Sequence, residues 1–557
     1  MSITSYRHIF PANISLLVLL AFLSLPCNLF AQQAPAIEWQ KCLGGTGGED
    51  IDPIYQTIAQ TTDGGYIIAG RTDSKDGDVS GIHGVNPDDI WVVKLSSSDS
   101  IEWQKCIGGS GSERADCIIQ TSDKGFAIAG FTNSNDGDIS GFLGGLADAC
   151  VIKLDSSGNI QWQKCLGGSD FDFANSIIQT FDGGYAIAGY TESNQEGLSN
   201  HGRGDAYLVK LNSLGGIEWQ RCFGGSNHDI AHSIVQSSDS GYVFAGDTYS
   251  IDGEVSGLHG DTLTSKRKTD VWVVKLSPSG VLQLQKCLGG SGNDIANSIL
   301  RTSDGDYIIA GSTVSNDGDV TGNHGGHAWI VKLDPSFNIL WQKRIGGSKS
   351  DNANSIIHTN DKGYAFVGTT ISNDGDVSGK HGGSNDSSDV WVVKLDSSGV
   401  MQWQKCLGGT LEDEGFGICL TKDGGYAIDG RTESNDGDVS GIHTLDSIHF
   451  NLDIWVVKLK PVSSGVENTS AVQNNVATIY PNPSSDQVHL ELLKANTIQQ
   501  VECYDLLGRK LSLPNALEGN IVTIDVHELI PASYVARVTY ITNDVAKTSS
   551  LMFIVQH

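Results

Sequence analysis

Pairs of carboxylates split by one glycine recur along this chain: Asp76 and Asp78, Asp136 and Asp138, Asp317 and Asp319, Asp374 and Asp376, Asp436 and Asp438. A further copy carries Asp252 and Glu254, and a histidine follows at His83, His201, His259, His324, His381 and His443. Two carboxylates placed this way can face one oxygen-lined hole, the environment calcium requires. Histidine would suit a transition metal better. Asp and Gly are also ordinary turn residues, whose carboxylates accept hydrogen bonds inside their own loop. The DGD spacing lacks the ligand series of a recognised calcium loop, so loop hydrogen bonding, calcium and a transition metal all stay open. No cofactor is required; calcium is the candidate, at the ten aspartates of the five DGD copies.

Catalytic signatures are missing. The chain has no HExxH, no phosphate-cradling GxxxxGK[ST] and no GxSxG on a strand-to-helix elbow. No catalytic residue is therefore assigned. Arg203-Gly204-Asp205 spells an adhesion tripeptide, but Asp205 also fills a repeated acidic position with Asp89, Asp148 and Asp389.

The acidic pairs sit in a repeated unit. Segments of the WQKC type begin at Trp39, Trp103, Trp162, Trp219, Leu284, Trp341 and Trp403, a period of 57 to 65 residues. All eleven tryptophans fall on two positions of the unit, WQKC and WVVKL. Each unit offers four short strands: a (ANSIIQT), b (GYAIAG), c (DVWVVKL) and d (GxIxWQKC), separated by Gly, Asp, Asn and Ser turns. Seven repeats of four antiparallel strands read as an all-β, seven-bladed β-propeller. The first WQKC precedes any a, b or c strand, and the last unit stops at VVKL. The N-terminal strand therefore closes the last blade, leaving no sheet edge exposed.

In such a ring the d–a connection (GGSGxD) and the b–c connection (NDGDVSGxHG) emerge on one face. That face carries most of the loop length and acid, and loops on a rigid scaffold are where binding resides. Residues present in every blade serve the blade, so specificity belongs where units differ. Unit 2 has Leu143 for the histidine, and unit 3 has Gln195-Glu196-Gly197 for DGD. Unit 4 inserts a segment with Lys266, Arg267 and Lys268; unit 7 inserts one with His449 and Phe450. The strand-c tryptophans, if exposed, would stack on sugars, but such regularity favours packing between blades.

The formal charge of −29 repels phosphate backbones and argues against nucleic-acid binding. Residues 1–31 read as a signal peptide, with Arg7 and His8 ahead of the apolar run Ile14–Leu25 and a cleavage site at Ala31. Leu25-Pro26 before Cys27 is a poor lipid-attachment box, and no later segment would span a bilayer. Cys42, Cys106, Cys165, Cys222, Cys287 and Cys406 share one repeat position, so they lie a unit apart, beyond bridging distance. Cys117, Cys150 and Cys419 are off-pattern and leave room for one bridge.

The run GGSGNDIANSILRTSDGDYIIAGSTVSNDGD from Gly289 resembles the bacterial extracellular β-propeller repeat, over about residues 38–460. That resemblance implies architecture and no particular reaction. Residues 461–475 lose the repeat and read as a linker. Residues 476–557 then resemble a type A C-terminal sorting domain of the type IX secretion system, expected to be a small β-sandwich. The matching residues are Tyr480-Pro481-Asn482-Pro483, Tyr504-Asp505-Leu506-Leu507-Gly508-Arg509 and Tyr534-Val535-Ala536-Arg537-Val538. Ser533 departs from the family's usual Gly, and Lys547 lies upstream of its usual basic residue. Pro481, Asn482, Pro483, Gly508 and Tyr534 are thus the sorting-motif residues the resemblance implies. It further implies export across the outer membrane of a Gram-negative bacterium, with the secretion machinery as partner.

The chain reads as a signal peptide (1–31), propeller (32–460), linker (461–475) and sorting domain (476–557). The expected role is a secreted or cell-surface, non-enzymatic binding or structural module for an extracellular glycan or protein. The alternative is a lyase or hydrolase using the propeller channel or a metal on the acidic face.

Overall fold

A computed structural model describes residues 34–51, 56–84, 88–194, 198–259, 268–322, 327–382, 387–443 and 452–461, and parts of 472–555. The chain divides into two compact units, residues 1–461 and 462–557. No helix occurs among the described residues, so none is long and apolar enough to cross a membrane.

The first unit consists of seven antiparallel sheets among the described residues. Blade 3 is typical: Asp172–Gln179 (a), Tyr185–Thr191 (b), Asp205–Leu211 (c) and Ile217–Phe223 (d) pair in sequence order. Strands b and c are buried almost throughout, the mark of sheets covered on both faces. The innermost a strands touch in cyclic order, and strand a of blade 7 (Asp413–Leu420) meets that of blade 1 (Ile58–Gln60). The ring is closed. Its last sheet is completed by Ile37–Leu43, which pairs antiparallel with Asp453–Leu459 and sets Cys42 opposite Trp455.

The repeated residues are scaffold. Trp91, Trp272, Trp329, Trp391 and Trp455 are at most 1% exposed. Each donates its indole N–H to the glutamine of a WQKC-type segment, at 2.7–3.0 Å. The amide of that glutamine holds the b–c loop, as Gln163 does at the Ser140 carbonyl, 2.7 Å away. The lysines of VVKL are buried along their stems and reach the aspartate of the a–b turn, for example Lys153 to Asp123 at 2.9 Å.

Strand a carries a β-bulge at the same place in five blades, beside Asp116, Asn175, His232, Asn297 and Phe416. A bulge leaves one residue out of the ladder and re-aims it. Asn175 and Asn297 use this freedom to donate to the next blade's carbonyls, Ala231 and Ala353, each at 3.0 Å. Blade closure is thereby stitched at the channel.

The second unit packs two sheets around one core. Val488, Leu490, Val522 and Ile524 come from one sheet, and Cys503, Tyr534, Ala536 and Val538 from the other. Its final hairpin pairs Ala532–Thr542 with Val545–Val555.

Candidate ligand-binding face

The DGD loops fold onto the GG segments entering the same blade. In blade 2 the Asp136 carboxylate accepts the Ser110 N–H at 2.7 Å; Asp76, Asp317, Asp374 and Asp436 do the same for Thr46, Ser291, Ser348 and Thr410. Backbone hydrogen bonds pull the carboxyls of Asp76, Asp136 and Asp317 below the usual range, and the Ser348 hydroxyl together with its N–H does so for Asp374. The intervening glycine has positive φ (Gly137, 65°) and lies so close to Gly108 that a Cβ would strike its carbonyl.

The second acid of each pair turns elsewhere. Asp78, Asp138, Asp319 and Asp438 approach Nε2 of His443, His83, His259 and His381 from the preceding blade, at 3.4–3.6 Å. Asp376 instead accepts the Gly346 N–H at 3.2 Å; His324 lies outside the described residues. The two carboxylates of a pair thus address different partners and do not share one hole. Among the described residues no three His, Cys, Asp or Glu side chains gather as a metal would need.

Behind each histidine lies a buried acid. Nδ1 of His83, His201, His259, His381 and His443 lies 2.6–2.8 Å from one oxygen of Asp89, Asp205, Asp270, Asp389 and Asp453. The other oxygen of each aspartate is buried without a hydrogen-bond partner. It converges on the acid that opens the next blade: a Cβ on Gly108 would sit 2.6 Å from both Asp89 Oδ1 and Glu113 Oε2. Only glycine fits between two such groups. Burial raises these carboxyls, because it disfavours the charged form. In blade 2, where Leu143 replaces the histidine, burial pushes Asp148 up to about 7.

Symmetry breaks at the loop-bearing end of strands a and b. In blades 7 and 1 the positions flanking the opening acid are charged. Arg71 bridges Asp50 and Asp88, and Arg431 bridges Asp50 and Glu414, at 2.7–3.1 Å. In blades 2 to 4 rings take over: Phe131 and Tyr190 stand at the strand-b position of Arg71 and Arg431, and Phe171, Phe173 and His228 flank the opening acids Asp172 and Asp229. Phe131, Phe173, Tyr190 and His228 form a continuous row with centroids 5.3–6.4 Å apart, and Phe171 stacks on Phe173 at 5.9 Å. Arg114 lies over Phe131 at 5.0 Å. Tyr190 Oη donates to Glu192 and lies 2.7 Å from His228 Nδ1. Its ring occupies space that any Cβ at Gly204 would fill. Phe171 is 36% exposed, and Leu143 and Leu146 beside it are 51% and 55% exposed. Composition offered no signal for this row, because phenylalanine and tyrosine are also core residues of strand b. Aligning the units at the opening acid and at the residue before the strand-b threonine would have found it.

Other candidates resolve differently. Asp205 of the RGD tripeptide is fully buried and bonded to His201, so it is no adhesion handle. The strand-c tryptophans are buried and unavailable to sugars. Lys266, Arg267, Gln195, Glu196, Gly197, His449 and Phe450 lie outside the described residues, as do Pro481, Asn482, Pro483 and Gly508. Tyr534 is a core residue of the second unit, 4% exposed. The channel holds a cavity of about 230 Å³ lined by strand-a residues including Asn175, His232, Asn297 and Asn354. There His232 Nε2 meets Asp247 Oδ1 at 2.6 Å.

Residues 478–552 match the family described as the secretion system C-terminal sorting domain. No curated protein matches the chain. Among solved structures, the chain is similar to the WD40 domain of Pan2 from Neurospora crassa: 10% identity, TM-score 0.40, covering 75% of this chain and 95% of that one. It is also similar to Sqt1 from Chaetomium thermophilum, at 9% identity and TM-score 0.37, covering 76% and 100%. A DUF4221 member from Bacteroides vulgatus aligns at 9% identity and TM-score 0.31, covering 60% and 93%. The propeller assignment rests on the closed ring of seven sheets.

Proposed function

We propose that this protein is an exported binding module, handled by the type IX secretion machinery through residues 476–557, that engages a glycan on the loop-bearing face of its propeller. The observation that carries the binding reading is the aromatic row of blades 2 to 4. It departs from the repeat, it leaves Phe171 and its neighbours in solvent, and no packing requirement of the blade calls for it, since the other four blades fold without it.

The chemistry favours a neutral sugar. Aromatic rings offer apolar contact with a polar handle at the edge. A pyranose matches this, with an apolar C–H face and a rim of hydroxyls that Glu192, Tyr190 Oη and His228 can address. A net charge of −29 disfavours polyanionic sugars. The test is a glycan and surface-protein array probed with the full chain and with Phe171→Ala. Glycan binding weakened about tenfold or more by the substitution supports the reading, on the scale expected when an anchoring aromatic is truncated. Binding to protein spots alone overturns the glycan assignment, and glycan binding indifferent to Phe171 overturns the site.

An enzymatic reading would place a hydrolase or lyase centre in the channel at His232 and Asp247. Those two groups form a buried pair, and the bulge neighbours on the same ring are carboxamides engaged with backbone carbonyls. The binding reading explains more of what departs from the repeat.

A further inference from the structure

In six blades the strand-c residue opposite the penultimate position of strand d follows one rule: a large aromatic faces a small or flexible partner. Trp91, Tyr207, Trp272, Trp391 and Trp455 face Cys106, Cys222, Cys287, Cys406 and Cys42, and Trp329 faces Arg344. Blade 2 breaks the rule. Its strand-c residue is Cys150, and it stands directly opposite Cys165. The aromatic-to-glutamine bond that locks the other blades, from an indole N–H or the Tyr207 hydroxyl, therefore has no donor here.

We propose that Cys150 and Cys165 form a cross-strand disulfide in the exported protein, replacing the aromatic lock of the other blades. The geometry is the argument. Residues directly opposite on antiparallel strands have Cα atoms about 4.5 or 5.5 Å apart, inside the window of about 4.4–6.8 Å that a disulfide spans. Directly paired residues carry their side chains on the same face of the sheet, so the register makes the two thiols neighbours. Both are buried, at 1% and 4% exposure, which shields a finished bond from reductants.

The register also excludes competitors. Cys117, Cys419 and Cys503 face Ala129, Ala427 and Leu511, and the remaining strand-d cysteines face aromatics. Among the described residues one pair alone is aligned for bridging. Strands c and d are joined by a short turn at Asp155–Asn159, so the hairpin brings the two thiols together before blade 2 is sealed between its neighbours.

The step needs an oxidant, and a disulfide-donating compound of the extracytoplasmic compartment supplies it. One cysteine thiolate attacks a sulfur of the donor disulfide and releases the first donor thiolate. The second thiolate then attacks the cysteine sulfur of the mixed disulfide and releases the other. The Cys150–Cys165 pair loses two electrons and two protons, and the donor is reduced to two thiols.

The inference rests on the export reading for its oxidising compartment, and the experiment separates the two. The full chain is prepared twice: recovered from outside an expressing cell, and refolded from denaturant with oxidised glutathione. Each sample is denatured in an alkylating agent and digested with trypsin, which cuts between the cysteines at Lys153 and Lys164. A peptide carrying Cys150 joined to one carrying Cys165, two hydrogens lighter than the separate pair, is expected in both. A bond in the refolded sample with free thiols in the exported one refutes export through an oxidising compartment and leaves the geometry standing. Alkylated Cys150 and Cys165 in both samples, or Cys165 joined to another cysteine, overturns the proposal. Cys150→Trp, which restores the repeat residue, is expected to abolish the bond and leave Cys165 alkylated.

Discussion

Asp429 occupies a place where the repeat has alanine, as at Ala69, Ala129 and Ala188, and it is fully buried at the channel end of strand b. Burial pushes its carboxyl up to about 7, against a hydrogen bond from the Gly417 N–H at 2.8 Å. Asp148, at about 7, and Asp229 and Asp413, at about 6, are raised by burial in the same way. Groups whose folded value is raised hold their proton better when folded. Their stabilisation is complete below the unfolded carboxylate range and is lost as pH climbs through about 6 to 7. Asp63, Asp123 and Asp182 have the opposite sign. Burial alone would raise them, but hydrogen bonds from threonine, backbone and lysine hold them down to about 2. Their contribution is present above the usual carboxylate range and fades as pH falls from about 4 to about 2. Thermal stability should therefore peak near pH 4–5 and decline toward pH 8. Asp429→Asn should flatten the alkaline limb; an unchanged slope in a melting series across pH 4–8 would refute the assignment.

The element on which the ring depends is the strand Ile37–Leu43. It contributes the fourth strand of blade 7, and Gln40 accepts the Trp455 indole N–H at 2.7 Å. Ala36 accepts the Lys460 N–H at 2.9 Å, fastening both ends of the propeller chain. Truncating a fully buried aromatic costs about 3–5 kcal/mol. Trp455→Ala should lose that amount in urea unfolding and should also expose the closing edge, giving concentration-dependent association. Trp403→Ala makes a useful comparison, since Trp403 packs edge-on against Tyr426 without a hydrogen bond from its indole nitrogen. A loss at Trp455 no larger than in an exposed-loop control would refute the closure as a stabilising device. Bulges are the other element-level device, because they free Asn175 and Asn297 to bond across blade boundaries.

For the whole molecule, the match of residues 478–552 to the sorting-domain family places the secretion signal in the second unit. Deleting residues 476–557 should strand the propeller in the periplasm of a host with the type IX system, with folding of the remaining chain intact by circular dichroism. Normal delivery to the cell surface after the deletion would refute the sorting role. On the propeller, charge and aromaticity occupy adjoining sectors of the loop face: arginine–carboxylate bridges in blades 7 and 1, rings in blades 2 to 4.

The repeat made the architecture legible. Period, strand alternation and the displaced first WQKC segment dictated four-stranded blades and an N-terminal closing strand, because each unit can bury its apolar faces only against a neighbour. The tertiary structure decided everything that depends on contact across blades. In four of the five DGD loops it turned the two acids to different blades, one to its own blade's entry loop and one to the preceding blade's histidine. It buried the strand-c tryptophans that would otherwise read as a sugar platform. It also assembled Phe131, Phe171, Phe173, Tyr190 and His228, which three blades contribute, into one row. Local pattern fixes what a strand buries; only ring closure sets which strand ends become neighbours.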